Sequence, residues 1–349
     1  MSDAAAGLPT SKYVEYRPST DWPLVISVPH DGDQVPEDIA ERTSGCFEPD
    51  SKSYELSLEL STAFSQRRKE RQPPAQVAIR LHRRKIDVNR ARGPSCEVAS
   101  DDAAKAWDAY HGSIEDALRR CVEKFGFCLL FDLHGQSHRV GVTELGYLLT
   151  SEDLLLADEI VDAKPPRPTC LDALLRRRRS IASGEDRAKL RGLHAASLAD
   201  MVRGTKSLGA CLGRRRFSCT PSPELPHPVA REDLPTAKSS AAVDCPPPPS
   251  DRVSTYFWGG YSVRRYGAPS TIEAHCNPLS DEAQKTWATT VAAVQLEISW
   301  ADAREDQGSR RHFARALQEA AEEFLLAWTG WSADVEHEGH WTEAEQLTA

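Results

Sequence analysis

The sequence predicts an α/β protein whose mostly parallel sheet carries helices on both faces. Two observations lead to this prediction. Short, wholly apolar segments of strand length recur along the chain, and longer segments with helical periodicity lie between them. With 349 residues, of which 40% are hydrophobic, the chain is long enough for one large α/β domain with insertions or for two ordinary domains.

Four segments are predicted to be strands, because each is short and rich in branched or aromatic residues. They are residues 24–28, 76–81, 127–133 and 292–298. The third, read from FCLLFDLHG, has the clearest strand pattern of the four. Their wholly apolar character is typical of strands that are covered on both faces.

Three longer segments are predicted to be helices, because their apolar residues recur three and four positions apart. They are residues 51–68, 104–125 and 309–328. In the last of them the repeating positions are Phe313, Leu317, Ala320, Phe324 and Trp328. We interpret these stripes as helix faces that pack against the core.

The domain organisation follows from where these patterns begin, break and end. Residues 1–20 are expected to be a flexible N-terminus, and residues 21–329 a single domain. A disordered insertion is predicted at about 220–252, because nine of the 23 prolines lie there with few apolar residues. Residues 330–349 are expected to be an acidic, frayed tail.

Composition disfavours several classes of function. The chain has 43 basic and 52 acidic residues, a formal net charge of −9, so it has no general attraction to nucleic acid or to an anionic membrane. Two arginine runs, 176–179 and 214–216, could bind phosphate, but a solvated surface is the favoured interpretation. No segment has the pattern of a signal peptide or a membrane span, and no two of the nine cysteines have CxxC spacing. The expected location is cytoplasmic.

Polar side chains collect where the predicted strands end. His30 follows the first strand, Asp132 and His134 end the third, and Glu297 ends the last. In open α/β sheets ligands bind beyond the carboxyl ends of the strands, so these side chains are expected to converge. A hydrolytic zinc site uses imidazoles, carboxylates and a cation. These strand-end side chains, together with the arginines that follow the second strand, supply all three.

Seven motifs in order resemble the N-formylglutamate amidohydrolase family. They are SVPHDGDQVPEDIAERTSGCFEPDSKSYEL, RLHRRKIDVNRAR, FDLHGQSH, ELGYLL, GTKSLGACL, FWGGYSVRRYG and VQLEI, spread over roughly residues 22–300. The resemblance implies a single catalytic domain with a three-layer αβα fold, phosphorylase/hydrolase-like and similar to zinc carboxypeptidases and aspartoacylases. It also implies one zinc ion and hydrolysis of the N-acyl bond of an amino acid. The type reaction converts N-formyl-L-glutamate to formate and glutamate.

The resemblance also implies a set of metal ligands. His30 and His134 match the histidines of the family's PH and DLH motifs. For the third ligand we favour Asp50, which matches a carboxylate of the family, with Asp33 as the alternative. Asp50 precedes a predicted helix, so it could instead be only the N-cap of that helix.

By the same resemblance, Glu297 would be the general base that also delivers a proton to the leaving amine. Arg83 or Arg84 would stabilise the oxyanion, and the sequence leaves open which of them faces the site. Asp132 could orient a ligand histidine, and His138 is expected at the rim of the site.

Substrate recognition would fall to further polar side chains. Asn89 and Arg90 resemble the pair that holds the substrate's α-carboxylate in carboxypeptidase-like folds, a task that suits the planar guanidinium. Arg264 and Arg265 could bind a side-chain carboxylate, or could be solvent-facing charges. The expected partner is a small N-acyl amino acid, with neither nucleic acid nor membrane involved. Hydrolysis of another N-acyl amino acid or a small peptide, or an inactive binding protein of the same fold, are the alternatives.

Overall fold

A seven-stranded sheet forms the centre of the computed structural model, which describes residues 9–92, 100–138, 141–163, 168–183, 197–228, 256–272 and 279–335. The spatial order of the strands is β1-β3-β2-β4-β7-β5-β6. The strands are β1 (Val14–Arg17), β2 (Leu24–Val28), β3 (Ala75–Ile79), β4 (Cys128–Gln136), β5 (Thr143–Gly146), β6 (Cys219–Thr220) and β7 (Val291–Ser299).

The four strands predicted from the sequence are the four adjacent strands β3, β2, β4 and β7, and all of them run parallel. Every residue of these strands except Gly135 in β4 is buried, which explains why each reads as a continuous apolar segment. β1 pairs antiparallel with β3, and β5 pairs antiparallel with β7 and parallel with β6. The prediction of a mostly parallel α/β sheet with helices around it is confirmed; the three-layer, carboxypeptidase-like arrangement stays a prediction.

Helices flank the sheet, and the longest three were predicted from the sequence. They are α1 (Ser53–Arg67), α2 (Asp101–Phe125), α3 (Ser151–Leu154), α4 (Asp158–Ala163), α5 (Asp172–Ser183), α6 (Leu198–Arg203), α7 (Leu208–Gly213), α8 (Tyr261–Gly267), α9 (Asp281–Thr290), α10 (Trp300–Ala303) and α11 (Gln307–Thr329). α2 begins three residues earlier than predicted, because the side chain of Ser100 accepts a hydrogen bond from the backbone N–H of Ala103. Across the described ranges, no helix has the length and apolarity that crossing a membrane would need.

The long helices cover the strands that carry the site. α1 packs against α11 and against β2 and β4, while α2 packs against the four strands β1 to β4. Trp22, just before β2, contacts Phe64 of α1 with ring centroids 4.7 Å apart. The carboxyl ends of β2, β4 and β7 therefore project from a sheet that is tightly packed against the long helices.

The predicted domain boundaries need correction at both ends. The N-terminus expected to be flexible contains β1 and the buried side chain of Tyr13. This strand was missed because its VEYR segment is only four residues long. The predicted acidic tail begins with Trp331, which is buried against Trp22 and Phe125. The insertion predicted at 220–252 likewise starts inside the fold, since Thr220 belongs to β6; its residues from 229 onward lie outside the described ranges, as do residues 1–8 and 336–349.

Candidate metal centre

Three side chains from separate elements meet at the carboxyl edge of the sheet. His30 lies two residues beyond β2, His134 lies within β4, and Asp50 lies in the loop before α1. The backbone N–H of Asp50 donates to the carbonyl of His30 at 3.1 Å, which fixes the loop beside the strand end. Parallel neighbours end at the same edge, so the two strands bring both imidazoles together.

The three side chains point their ligand atoms at one another. Asp50 Oδ2 lies 3.2 Å from His30 Nδ1 and 2.9 Å from His134 Nδ1, and all three residues are buried. The backbone N–H of Gly135 also donates to Asp50 Oδ2, at 3.3 Å. One atom from each of the three residues lies within 4.8 Å of the others, a spacing that one metal ion could bridge.

Each histidine contacts a second carboxylate through its other ring nitrogen, Nε2. His30 Nε2 lies 2.7 Å from Asp87 Oδ1, and His134 Nε2 lies 3.0 Å from Asp132 Oδ2. Because an ionised carboxylate only accepts, each Nε2 donates to its carboxylate. With a metal ion in place of the Nδ1 proton, each Nδ1 would offer its lone pair to the ion. Asp132 is placed as expected. Asp87 was missed, although a lone carboxylate among the arginines of HRRKIDVNR is a usable signal.

The electrostatics of the cluster favour positive charge at its centre. Burial alone would raise the pKa of Asp50, but the imidazoles of His30 and His134 and the Arg83 guanidinium hold it well below its usual value. Burial would lower the pKa of His134, yet Asp132, Asp50 and Glu297 raise it well above its usual value. Two imidazoles, one carboxylate and a shell of further carboxylates therefore fit a divalent cation in this position.

Glu297 stands beside the cluster on the neighbouring strand. In the sheet register it faces His134 of β4 on one side and Glu144 of β5 on the other. Its Oε1 lies 3.9 Å from His134 Nδ1 and accepts a hydrogen bond from Gln295 Nε2 at 2.7 Å. Burial raises the pKa of Glu297 to about 7, with His134 opposing the rise and Asp50 and Glu144 adding to it.

Two alternatives left open by the sequence are distinguished by geometry. Arg83 Nη1 lies 3.1 Å from Asp50 Oδ1, whereas the Arg84 side chain is 46% exposed and pairs with Glu41. Arg83 therefore faces the cluster, and the expectation that Arg84 could do so is corrected. Asp33, the alternative ligand, has a side chain that is 74% exposed and paired with Arg80 at 2.9 Å, so it takes no part in the cluster.

The predicted substrate-binding residues separate into two groups. Asn89 and Arg90 border the centre: Asn89 Nδ2 lies 3.3 Å from His134 Nε2, and Arg90 Nε lies 3.7 Å from Asp87 Oδ2. Arg264 lies on α8, half-buried, with its Nε bonded to the carbonyl of Gly260.

Arg265, predicted to bind substrate, is placed away from the centre. Its buried guanidinium pairs with Glu115 of α2 at 2.6 Å and lies over the rings of Trp107 and Tyr266. The next position along a helix points about 100° away from its neighbour, so the pair Arg264 and Arg265 could not both face one ligand. The predicted role of Arg265 is therefore corrected to one in helix packing.

A cleft of about 490 Å³ opens beside the centre. It is lined by Pro49, Ser51, Gly135, Ser137, His138, Trp300, Ala301 and Arg304. Three of these residues, Pro49, Ser51 and Gly135, are chain neighbours of Asp50 and His134, so the cleft lies near the cluster. His138 occupies the wall, in agreement with its predicted position at the rim.

Comparisons with known proteins show a likeness to a solved structure. No family model matches the chain, and no curated protein matches it. Among solved structures, the chain is similar to the crystal structure of N-formylglutamate amidohydrolase from Ralstonia eutropha JMP134, with 12% sequence identity and a TM-score of 0.43. The match covers 90% of this chain and 96% of that one. A likeness at this level does not establish a shared fold, and the chemistry rests on the residues of the site.

Proposed function

We propose that the protein is a zinc-dependent amidohydrolase that cleaves the N-acyl bond of an N-acyl amino acid, with N-formyl-L-glutamate as the type substrate. One observation carries the proposal: His30, Asp50 and His134 converge in a buried cluster, and Glu297 Oε1 lies 3.9 Å from His134 Nδ1. The ordered motifs that resemble the N-formylglutamate amidohydrolase family support the same reaction.

The ligand set favours zinc. Catalytic zinc sites typically use three protein ligands from histidine and carboxylate side chains and leave a fourth position open. The cluster offers two imidazoles and one carboxylate, and chain neighbours of Asp50 and His134 line the nearby cleft. When bound, the ion would supply Lewis-acid polarisation of the acyl carbonyl and would make water in the site more acidic.

The protein's own groups would carry the proton transfers and balance charge. Glu297 would accept a proton from the attacking water, a task that suits a buried carboxylate whose pKa is raised to about 7. Arg83 would offset the negative charge of Asp50 and Asp87 and would be available to the oxyanion. Arg90 and Arg264, both half-buried, are proposed to recognise the carboxylates of the substrate.

The metal and the reaction can be tested together. Purified wild-type protein is expected to contain near-stoichiometric zinc by mass spectrometry and to hydrolyse at least one member of a panel of N-formyl and N-acetyl amino acids. His134→Ala is expected to lose both the zinc and the activity, because the ligand set falls to two. His227→Ala, at an exposed histidine in the described region, is the matched control and should retain both.

The alternatives have distinct signatures in that experiment. Zinc in the wild-type protein without hydrolysis of any panel member would favour a binding protein of the same fold. Absence of zinc after purification and again after zinc is added back would remove the proposed chemistry.

A further inference from the structure

A histidine and a glutamate form a pair in the cleft wall, outside the metal cluster. His138 Nδ1 lies 2.9 Å from Glu144 Oε1, and the side chains are 16% and 5% exposed. The backbone N–H of His138 donates to Gln136 Oε1 at 2.6 Å, and the imidazole stacks on the ring of Phe257 with centroids 5.4 Å apart and planes 8° apart. The ring is therefore held by two contacts, and a third holds the backbone that carries it.

The sheet register places this pair beside the proposed base. Residues that face each other on adjacent strands direct their side chains to the same face of a sheet. His134 faces Glu297, and Glu297 faces Glu144, so these three side chains stand in a row across β4, β7 and β5. His138 bonds to the last member of that row and extends it toward the cleft.

One nitrogen of His138 has no partner within the described part of the chain. Nδ1 is occupied by Glu144, and no described residue contributes a hydrogen bond to Nε2. His138 lines the cleft and its side chain is 16% exposed, so the ring can be reached from the cleft. A carboxylate behind one ring nitrogen and a free second nitrogen is the usual arrangement of an imidazole that exchanges protons.

We propose that His138 is a second catalytic residue, the general acid that protonates the leaving nitrogen. This inference rests on the proposed amide hydrolysis. The step requires a proton on each ring nitrogen of His138, one donated from Nδ1 to the Glu144 carboxylate and one held at Nε2. Glu297 takes one proton from the attacking water, and the new C–O bond gives a tetrahedral intermediate. When the C–N bond breaks, its electron pair stays on nitrogen, which takes the proton from His138 Nε2.

Groups in the site account for every proton in this step. The products are a carboxylic acid and a free amine, while His138 is left neutral and Glu297 protonated. Transfer of that proton from Glu297 to His138 through cleft water restores both groups. The assignment separates the two proton transfers, because Glu297 no longer has to reach the leaving nitrogen as well as the attacking water.

The test compares leaving groups that do and do not need a proton. An amine cannot leave as its anion, whereas p-nitrophenolate leaves unprotonated. The substrates are N-formyl-L-glutamate with p-nitrophenyl formate, and N-acetyl-L-glutamate with p-nitrophenyl acetate. In His138→Gln the ratio of amide to ester rates is expected to fall by about 100-fold or more, the usual effect of a general acid. Glu144→Gln should lower the same ratio by a smaller factor, because it weakens the hydrogen bond that orients the His138 ring.

Controls separate this inference from the proposed function. The zinc content of His138→Gln should equal that of the wild type, and His227→Gln should keep the wild-type rate ratio. An unchanged ratio in His138→Gln with zinc retained would overturn the role of His138 and leave the amidohydrolase proposal standing. A wild-type protein that hydrolyses no amide of the panel would overturn both.

Discussion

The two histidines of the centre owe their orientation to the carboxylates behind them. Asp87 accepts from His30 and also from the backbone N–H of Asn89 at 3.0 Å, so its own position is fixed by the chain segment that carries it. Asp132 accepts from Ser27 Oγ at 2.6 Å as well as from His134. Ser27 lies on β2 and Asp132 on β4, and each support is therefore anchored in the sheet or its adjoining loop.

Replacing Asp87 by asparagine tests this support. An amide keeps the shape but removes the negative charge that accepts the hydrogen bond from His30 Nε2. We expect zinc affinity to fall by about 10- to 100-fold, the usual cost of losing such a carboxylate, as measured by competition with a chromogenic chelator. Asp33→Asn, at an exposed carboxylate close to His30, is the control. Equal affinities of Asp87→Asn and wild type would contradict the role of Asp87.

The proposed base gives a second prediction at a single residue. Glu297→Gln should retain zinc, because Glu297 is not among the three ligands, while turnover should fall by about 100- to 10,000-fold, the range for a lost acid–base group. Zinc by mass spectrometry and turnover of the best N-acyl amino acid are measured on the same preparation. Near-normal turnover would exclude Glu297 as the base.

The ends of three elements are tied together by one arginine. Arg304, buried just after α10, donates to the carbonyls of Gln136 at the end of β4, Ile298 near the end of β7, and Ser51 before α1. The guanidinium lies so close to the backbone of Gly135 that a Cβ there would overlap it. Burial lowers the pKa of Arg304, with Asp50, Glu297 and Asp31 opposing the change.

Removing that arginine should loosen the edge of the sheet. Arg304→Met keeps the aliphatic length but leaves three carbonyls without their donor. The free energy of unfolding is expected to fall by about 2–4 kcal/mol, since each unsatisfied buried group costs about 1–3 kcal/mol and water reaches part of the cleft. Urea denaturation measures it. Arg311→Met, on the exposed surface of α11, is the control. A similar decrease in the free energy of unfolding in both variants would contradict the proposed role of Arg304 in joining the three elements.

The sequence predicted the elements that are apolar throughout and missed those that are short. β2, β3, β4 and β7 were predicted because their buried residues are continuous, whereas β1, β5 and β6 have four residues or fewer. At the centre, His30, Asp50, His134 and Glu297 were predicted from strand ends and ordered motifs. Periodicity does not encode long-range contacts. The contact of Asp87 with His30, the exclusion of Asp33 and the orientation of Arg83 all depend on such contacts.

At the scale of the whole molecule, stability is coupled to pH through a buried histidine outside the metal cluster. His111 Nε2 donates to the carbonyl of Val88 at 2.9 Å, and Nδ1 accepts from the Tyr266 hydroxyl at 2.7 Å, so the neutral ring is satisfied. Burial lowers the pKa of His111 well below its usual value, and the charge of Arg265 lowers it further. There is therefore a pH range in which the unfolded chain binds a proton at His111 and the folded protein does not.

The sign of the pH effect follows. Below a pH of about 6.5 the unfolded chain binds a proton at His111 and the folded protein does not, so the free energy of unfolding drops by about 1.4 kcal/mol per pH unit from this group. Glutamine can make both hydrogen bonds but does not titrate. The stability difference between wild type and His111→Gln should therefore shrink between pH 8 and pH 5 in urea titrations. The exposed His312→Gln should leave the pH dependence as in wild type.

The position of β7 has a consequence for how the protein is made. This strand comes last in the sequence of the sheet, yet it lies between β4 and β5. A nascent chain holds His30, Asp50 and His134 once residue 134 has been translated, long before Glu297 exists. Until β7 has left the ribosome, the edge of β4 has no partner on that side, and such an apolar edge is a site for aggregation. Synthesis therefore delivers the three residues of the candidate metal centre first and the proposed base last, and the strand that carries Glu297 also closes the sheet.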